Sequence, residues 1–323
     1  MPKNAENESK GSFSVKKKAQ LIITAASEGY AQSLLALIGS LNCNWPEHPP
    51  VLVYDLGLSD TYLNILKENG IPIRQVPSFC PHWRKHYTWK LWCWQDAPAD
   101  YVLWMDAGMT VLAPLPEVLL AIQKLGYFAV PTHLPLLGHS HAYACQGCGV
   151  PLDFLQNKVL LGANFVGMDK SGPMGRLIKE ALQVALDEKC IASTDTVFNT
   201  DQAIYNLLMY KYLGDLLLAN FSTYSGWYSP RQIAGQKVWA HRRHLLPEDV
   251  AYFTQYLSVP GPAYVPQEPR NGIKWFLKRP GHVWGKIREK GLAHALLWGY
   301  RIAMSDLGLR TEDIGKRRQG LRD

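Results

Sequence analysis

The segment Tyr101-Val-Leu-Trp-Met-Asp106-Ala-Gly108 decides the fold of this chain. Its first five residues are apolar or aromatic without polar alternation, which predicts a strand that helices cover on both faces. Asp106 then ends the strand, at the edge where open α/β sheets bind ligands. The alternative interpretation is an Asp that only begins a turn, because Asp is common in turns. Asp106 is therefore a candidate site residue whose role depends on the rest of the chain.

Apolar segments alternate with helical patterns on both sides of this strand. The predicted strands cover residues 21–25, 51–54, 71–76, 101–105, 127–130 and 163–168, and the predicted helices cover 31–41, 61–68, 87–94 and 116–125. Such βαβ alternation predicts an α/β fold with a largely parallel twisted sheet and helices on both faces. Residues 131–162 are rich in Pro, Gly and His, which predicts an irregular insertion.

The chain has 323 residues, of which 47% are hydrophobic, and this is enough for a sizeable core. Residues 1–20 are polar and predict a flexible segment, 21–258 the main domain, and 259–323 a linker and a basic tail. The apolar run at 21–27 is too short for a signal peptide or a membrane span. We therefore expect it to be the first strand of a cytoplasmic protein.

The positive charge of the chain is concentrated in its tail. Residues 270–323 contain thirteen Lys and Arg against five Asp and Glu, whereas the total net charge is +7. A helical pattern at 282–304 has an aromatic and aliphatic stripe with basic flanks, which is typical of helices that lie on anionic membranes. A helix that packs its stripe on the main domain is the equal alternative. No nucleic-acid recognition motif accompanies the basic residues, so no nucleic-acid partner is expected.

Six cysteines are scattered along the chain, and reduced thiols are the expectation for a cytoplasmic protein. Cys145-Gln-Gly-Cys148 has the spacing of half a zinc site, and His139 and His141 lie nearby in the sequence. Because no second Cys-x-x-Cys completes the set, a loop without zinc is the favoured interpretation.

Small and acidic residues end the first two predicted strands. Ala25, Ala26 and Ser27 would let a flat base approach the backbone, and Asp55 ends the second strand, with a turn residue as its alternative role. No Gly-x-Gly-x-x-Gly follows the first strand and no P-loop motif is present. These absences argue against dinucleotide oxidoreductases and P-loop NTPases.

Four segments together carry a family resemblance. Residues 21–59, Tyr101 to Gly108, Gly162-Ala-Asn-Phe-Val-Gly-Met168 and Thr200-Asp-Gln-Ala-Ile-Tyr-Asn206 resemble, in this order, nucleotide-sugar glycosyltransferases of the GT-A fold. The likeness is greatest to the family 8 type and its less characterised bacterial relatives, and it covers roughly residues 21–244. It implies a Rossmann-like three-layer α/β/α sandwich with a C-terminal helical extension.

The resemblance also implies an activity. It predicts a hexosyltransferase that moves a sugar from a nucleotide diphosphate sugar, with UDP as the expected nucleotide, to a glycan or lipid-linked acceptor, and it implies retention of anomeric configuration. Synthesis of surface polysaccharide at the inner face of the membrane would suit the basic tail. A catalytically inactive carbohydrate- or membrane-binding protein and a nucleotidyltransferase of the same fold remain alternatives.

A divalent cation is part of what the resemblance implies. Negative charge on the departing nucleotide must be neutralised, and carboxylate oxygens suit Mn²⁺ or Mg²⁺. Family members commonly have Asp-X-Asp where this chain has Asp106-Ala107-Gly108, so one carboxylate is missing here. A downstream histidine often completes the site in relatives, and His241 and His244 are the candidates. A structural histidine is the alternative for both.

Further roles follow from the same resemblance. Asp201 and Gln202 match the pair that binds the donor sugar near the reacting carbon, with support of a helix start as the alternative for Asp201. Asn164 matches an Asn that contacts the sugar. Lys90 and Arg84, on or before the helix that leads into the Asp106 strand, are expected at the diphosphate. The nucleotide would contact Ala25, Ala26, Ser27, Asp55, Asp106, Ala107 and Gly108.

Overall fold

The structure is a computed structural model that describes residues 18–192, 200–224, 228–229, 232 and 234–266. The helix predicted at 282–304 and most of the basic tail lie outside the described residues. Within the described part of the chain, no helix combines the length and the apolar character that crossing a bilayer requires.

A six-stranded sheet forms the centre of the molecule, in the order β3-β2-β1-β4-β7-β6. Its strands are β1 Gln20–Ala26, β2 Val51–Asp55, β3 Ile73–Gln75, β4 Tyr101–Met105, β6 Tyr127–Pro135 and β7 Val159–Asp169. The first four in spatial order are parallel, and β7 is antiparallel to both of its neighbours. The predicted mostly parallel sheet is thus confirmed.

Helices cover both faces of this sheet. They are α1 Ala31–Asn44, α2 Asp60–Glu68, α3 Thr88–Asp96, α4 Pro116–Leu125, α5 Ala142–Gly147, α6 Pro173–Ala185, α7 Glu188–Ile191, α8 Asp201–Leu213, α9 Phe221–Tyr224 and α10 Pro247–Thr254. One face packs on α3, α6 and α8, and the other packs on α1 and α4. This is the three-layer α/β/α arrangement that the sequence predicts.

Strand β4 shows why its sequence lacks polar alternation. Val102 and Trp104 point into the core cluster on the α3 side, whereas Leu103 and Met105 point into the cluster on the α1 side. All four side chains are at most 1% exposed. Because both faces of the strand are buried, every position needs an apolar residue until the strand ends at Asp106.

Two features differ from the sequence prediction. Residues 131–162 are less irregular than predicted, because β6 extends to Pro135, α5 follows, and β7 begins at Val159. Buried Leu136, Cys145 and Leu155 anchor this segment to the core. A two-stranded ribbon of β5 (Met109–Val111) and β8 (Val238–Ala240) was not predicted, since strands of three residues show no periodicity.

Gly39 tests the packing of α10 on α1. A Cβ at this position would lie 2.0 Å from the carbonyl oxygen of Phe253 in α10. We expect Gly39→Ala to lower the melting temperature by about 2 to 8 °C, because overpacking outweighs the helix propensity of Ala. Gln32→Ala, on the exposed side of the same helix, should change it little. Equal melting temperatures in a calorimetric scan would show that the helices do not pack there.

Candidate functional site

The carboxyl ends of β1 and β4 lie side by side at one edge of the sheet. These two strands are parallel, with Ile23 opposite Trp104, so Ala25 and Asp106 each stand two residues beyond this pair. The chain runs outward from β1 to β2 and β3 on one side and continues through β4 on the other. This change of direction makes a topological switch point, where open α/β sheets bind ligands. We call the space between Ala25–Ser27 and Asp106–Gly108 the switch-point crevice.

A buried ion-pair network stands beside this crevice. The Lys90 Nζ of α3 lies 3.0 Å from Asp106 Oδ1 and 3.5 Å from Asp201 Oδ2, and it also donates to the Ala163 carbonyl at 3.2 Å. Burial opposes the charge of Lys90, but the two carboxylates outweigh burial and raise its pKa above the usual value. The lysine is therefore a fixed cation that joins α3, β4 and α8.

Both oxygens of Asp106 are engaged. Besides Lys90, the Trp104 indole Nε1–H donates to Oδ1 at 2.8 Å, and the Tyr228 hydroxyl donates to Oδ2. Burial, together with the Asp106 charge, raises the pKa of Tyr228 far above its usual value, so this hydroxyl stays protonated and acts as a donor. Asp106 is thus the acceptor at the centre of a network.

The predicted residues of α8 fasten its first turn to β7. Thr200 caps the helix, with its Oγ1 accepting from the Gln202 N–H at 3.3 Å. The Gln202 Nε2 donates to the Leu161 carbonyl at 2.6 Å. The Asn206 side chain accepts from the Leu161 N–H and donates to the Leu161 carbonyl. Asp201, the first residue of the helix, is 2% exposed and faces Lys90. Burial raises the pKa of Asp201, and Lys90 opposes that rise.

Asn164 adjoins this network through its backbone. Its carbonyl accepts from the Asp106 N–H at 2.9 Å, where β7 runs antiparallel to β4, and its side chain is buried. The structure therefore places Asn164 beside Asp106, and it places Asp201 and Gln202 at the adjacent start of α8. Their contact with a sugar stays a prediction.

Asp55 makes the contacts of a turn residue. Its Oδ1 accepts from the Gly57 and Leu58 N–H groups, both at 2.7 Å. Glu28, just after β1, accepts from the Ser59 N–H at 2.7 Å, so the loops after β1 and β2 are tied together. Contact of Asp55 with a nucleotide stays a prediction.

The residues predicted to bind a divalent ion do not fit one as they are arranged. The His241 Nε2 lies 2.9 Å from Thr110 Oγ1, and its fully buried ring has its pKa lowered to about 3 by burial and by His244. Lys90, Trp104 and Tyr228 already bond the oxygens of Asp106, so an ion there would compete with them. Among the described residues, no three His, Cys, Asp or Glu side chains form a metal-binding group, and this holds for the Cys145 region as well.

Gly108 explains the missing second carboxylate. A Cβ at this position would lie 2.6 Å from the Arg242 Cα and 2.7 Å from the Arg242 carbonyl oxygen. The Gly108 carbonyl also accepts from the N–H groups of His241 and Arg242, at 2.9 and 2.8 Å. The backbone of Arg242 thus occupies the space that a side chain at position 108 would need.

Two arginines at the crevice were missed by sequence reasoning, which considered only the histidines that flank them. The Arg242 guanidinium Cζ lies 4.6 Å from the centroid of the Tyr228 ring, and the Arg243 Cζ lies 5.1 Å from that of Tyr30. Both arginines are exposed. An adjacent Arg-Arg pair in Trp239-Ala-His-Arg-Arg-His244 was the available signal.

Comparisons with known proteins found similar structures among glycosyltransferases. No protein-family model matches the sequence, and no curated protein does. Among solved structures, the galactosyltransferase LgtC with donor and acceptor sugar analogues is 18% identical, with 77% of this chain and 99% of that chain covered and a TM-score of 0.46. The apo form of the bifunctional glycosyltransferase WbbM is 17% identical, with 62% and 39% covered and a TM-score of 0.44.

A third structure, the glycosyltransferase GlyE of Streptococcus pneumoniae TIGR4, is 11% identical, with 62% and 45% covered and a TM-score of 0.39. The chain thus spans less than half the length of WbbM and of GlyE. All three are glycosyltransferases, the class that the sequence resembles. Similarities at this level carry no argument about the activity of this chain.

Lys90 is expected to control the stability of the site. Lys90→Met should lower the free energy of unfolding by about 3–5 kcal/mol, since it leaves buried carboxylates without their cation. The pKa of Asp201 should then rise further. A carboxyl group with a raised pKa in the folded state binds extra protons there, so stability falls as pH rises above the unfolded value of about 3.9.

Denaturant titrations at pH 5 and pH 8 measure this effect. Between pH 5 and pH 8, Lys90→Met should lose more stability than the parent protein. Adding Asp201→Asn should restore part of the lost stability. Lys85→Met is the matched control, because Lys85 pairs with Glu188 only at the surface. A pH dependence like that of the parent would mean that Lys90 does not neutralise Asp201.

Gly108→Asp would restore the Asp-X-Asp pattern, yet we expect it to lower the melting temperature by about 3 to 10 °C because the Arg242 backbone occupies the space. Gly108→Ala should show the same direction. Gly172→Ala is the control, since a Cβ there has no neighbour closer than 3.7 Å. A Gly108→Asp variant that keeps the parent stability and gains stabilisation from Mn²⁺ would contradict this explanation.

Proposed function

We propose that this chain is a glycosyltransferase that moves a sugar from a nucleotide diphosphate sugar, with UDP as the expected nucleotide, to a glycan or lipid-linked acceptor. The observation that carries the proposal is the network of Lys90, Asp106 and Asp201 beside a switch-point crevice. Small residues line the β1 side of the crevice, and charged and amide groups converge on its β4 side. A nucleotide sugar needs both kinds of surface, one that a flat base can approach and one that binds charged and hydroxyl groups.

The nucleotide would lie on the β1 side. Ala25, Ala26 and Ser27 have short side chains, so a base can approach the backbone of the strand end. The ties between Glu28 and Ser59 and within the Asp55 turn hold the neighbouring loops in place. A fixed loop binds a ligand with less loss of conformational entropy than a mobile one.

The sugar would lie near Asn164, Asp201 and Gln202. Carboxylate and amide groups suit sugar hydroxyls because they supply both hydrogen-bond donors and acceptors. The bond from the Gln202 Nε2 to the Leu161 carbonyl fixes this side chain, and no described group donates to its Oε1. Gln202 can therefore present an oriented acceptor to the donor sugar.

The chemistry depends on charge. Breaking the bond between sugar and diphosphate leaves negative charge on the nucleotide, which cations fixed in a partly buried site stabilise more than water does. Lys90 is a fixed cation, but it pairs with both Asp106 and Asp201, so further cations must meet the diphosphate. Retention of configuration is part of the proposal, and proton NMR of the product checks it. Residues 270–304, with their basic flanks, support an acceptor at an anionic membrane surface.

The test is release of a nucleoside diphosphate from UDP-, GDP- and TDP-sugars, with thermal shift as a binding measurement. One donor should raise the melting temperature and be turned over. Asp201→Asn should lower kcat/KM by about 100-fold or more, because a charged group at the reacting centre is removed while the shape is kept. Asp153→Asn, on the exposed surface, is the control.

Failure of all donors to bind or turn over would overturn the proposal. Donor binding without turnover would instead favour a catalytically inactive binding protein. The hydrogen bonds that engage both Asp106 oxygens would suit that alternative. Release of pyrophosphate from UTP and a sugar phosphate would identify a nucleotidyltransferase.

A further inference from the structure

We infer that Arg242 and Arg243, in place of a divalent cation, hold the diphosphate of the donor in the switch-point crevice. This inference rests on the proposed function and adds the groups that recognise the phosphates. It starts from the finding that the predicted metal ligands do not form a site, whereas two cationic side chains project at the same place.

Arg242 is fixed at the β4 side of the crevice. The pairing of Met109 with Ala240 brings the end of β8 to the end of the Asp106 segment. Arg242 then adopts a left-handed backbone conformation, with φ of 60°, and its N–H donates to the Gly108 carbonyl. Its guanidinium lies over the ring of Tyr228, the residue whose hydroxyl bonds Asp106. The same tyrosine therefore contacts both this cation and the central carboxylate.

Arg243 reaches the β1 side of the crevice. Its guanidinium lies over the ring of Tyr30, and its Nη1 is 3.4 Å from where a Cβ on Gly29 would lie. Gly29 and Tyr30 directly follow Ser27 and Glu28 at the end of β1. The two adjacent arginines thus contact residues from opposite sides of the crevice, so a group bound there lies within reach of both.

The charge balance requires these arginines. Lys90 is shared by Asp106 and Asp201, so the three groups together carry a net charge of −1, which would repel a diphosphate. The two guanidiniums reverse that sign. Within the part of the chain that the structure describes, neither forms an ion pair with a carboxylate. Their planar forks match phosphate oxygens in bidentate pairs, and the tyrosine rings orient them.

Gly108 makes this arrangement possible. The Arg242 backbone comes close enough only because no Cβ is present at position 108. A second carboxylate at 108 and this position of Arg242 are therefore mutually exclusive. The departure from Asp-X-Asp then marks the exchange of a metal ion for side-chain cations rather than the loss of a site.

Isothermal titration of the full chain with UDP, GDP and TDP tests the inference, first in EDTA and then in Mn²⁺. The nucleotide that binds should do so in EDTA with an affinity within about threefold of that in Mn²⁺. Arg242→Ala and Arg243→Ala should each weaken it by about 10- to 100-fold, the range for hydrogen bonds to charged groups. Arg242→Lys and Arg243→Lys should lose less, because they keep the charge but not the fork.

The matching nucleoside, which lacks phosphates, separates recognition from folding. Its affinity should stay unchanged in all four variants, which also shows that they are folded. Arg176→Ala is the control, since Arg176 is on α6 and its guanidinium lies over Tyr212.

The outcomes distinguish the two proposals. If a nucleotide binds only with Mn²⁺, or if the alanine variants bind it as the parent does, the arginine assignment is overturned while the proposed function stands. Equal losses for the nucleoside and the nucleotide would also overturn it, since the phosphates would then not be what the arginines recognise. If none of the three nucleotides binds under either condition, the proposed function itself fails.

Discussion

The Lys90 ammonium, held between the carboxylates of Asp106 and Asp201, is the interaction on which the rest of the site depends. A charge that is almost fully buried is tolerated only with charged partners and hydrogen bonds that satisfy it. Those partners come from the end of β4 and the start of α8, while Lys90 comes from α3. One buried cation therefore fixes the relative positions of three elements. Trp104 and Tyr228 complete the network by donating to the same carboxylate, so both oxygens of Asp106 are engaged.

The same network limits how Asp106 can interact with a cation. A carboxylate that already accepts from an ammonium, an indole and a phenol has both oxygens engaged, and the space for a second carboxylate is filled by the Arg242 backbone. Among the described residues, Arg242 and Arg243 are exposed cations beside this carboxylate. Three departures from a metal site, namely the lysine at Asp106, the glycine at 108 and the arginine beside it, are thus parts of one arrangement.

The sequence predicts the sheet because burial on both faces leaves a continuous apolar signature, as in residues 101–105. It also predicts that strand ends gather candidate residues, because parallel strands place their carboxyl ends at one edge. The ion pair of Lys90 with Asp201 joins residues more than one hundred positions apart, and no local pattern encodes it. Likewise β5 and β8 are too short for periodicity, yet their pairing is what carries Arg242 to Gly108.

The end of β8 shows why the sequence pattern pointed to the two histidines and not to the two arginines between them. His241 continues the buried run of Val238–Ala240 and turns its ring inward to Thr110, where burial lowers its pKa to about 3 and keeps it neutral. The chain then reverses at Arg242, whose positive φ places its backbone on Gly108 and leaves its guanidinium exposed over Tyr228. In a segment that passes from core to surface at one residue, side-chain chemistry alone does not say which side chain is exposed. The backbone turn does, because it leaves the His241 ring buried and the Arg242 guanidinium exposed.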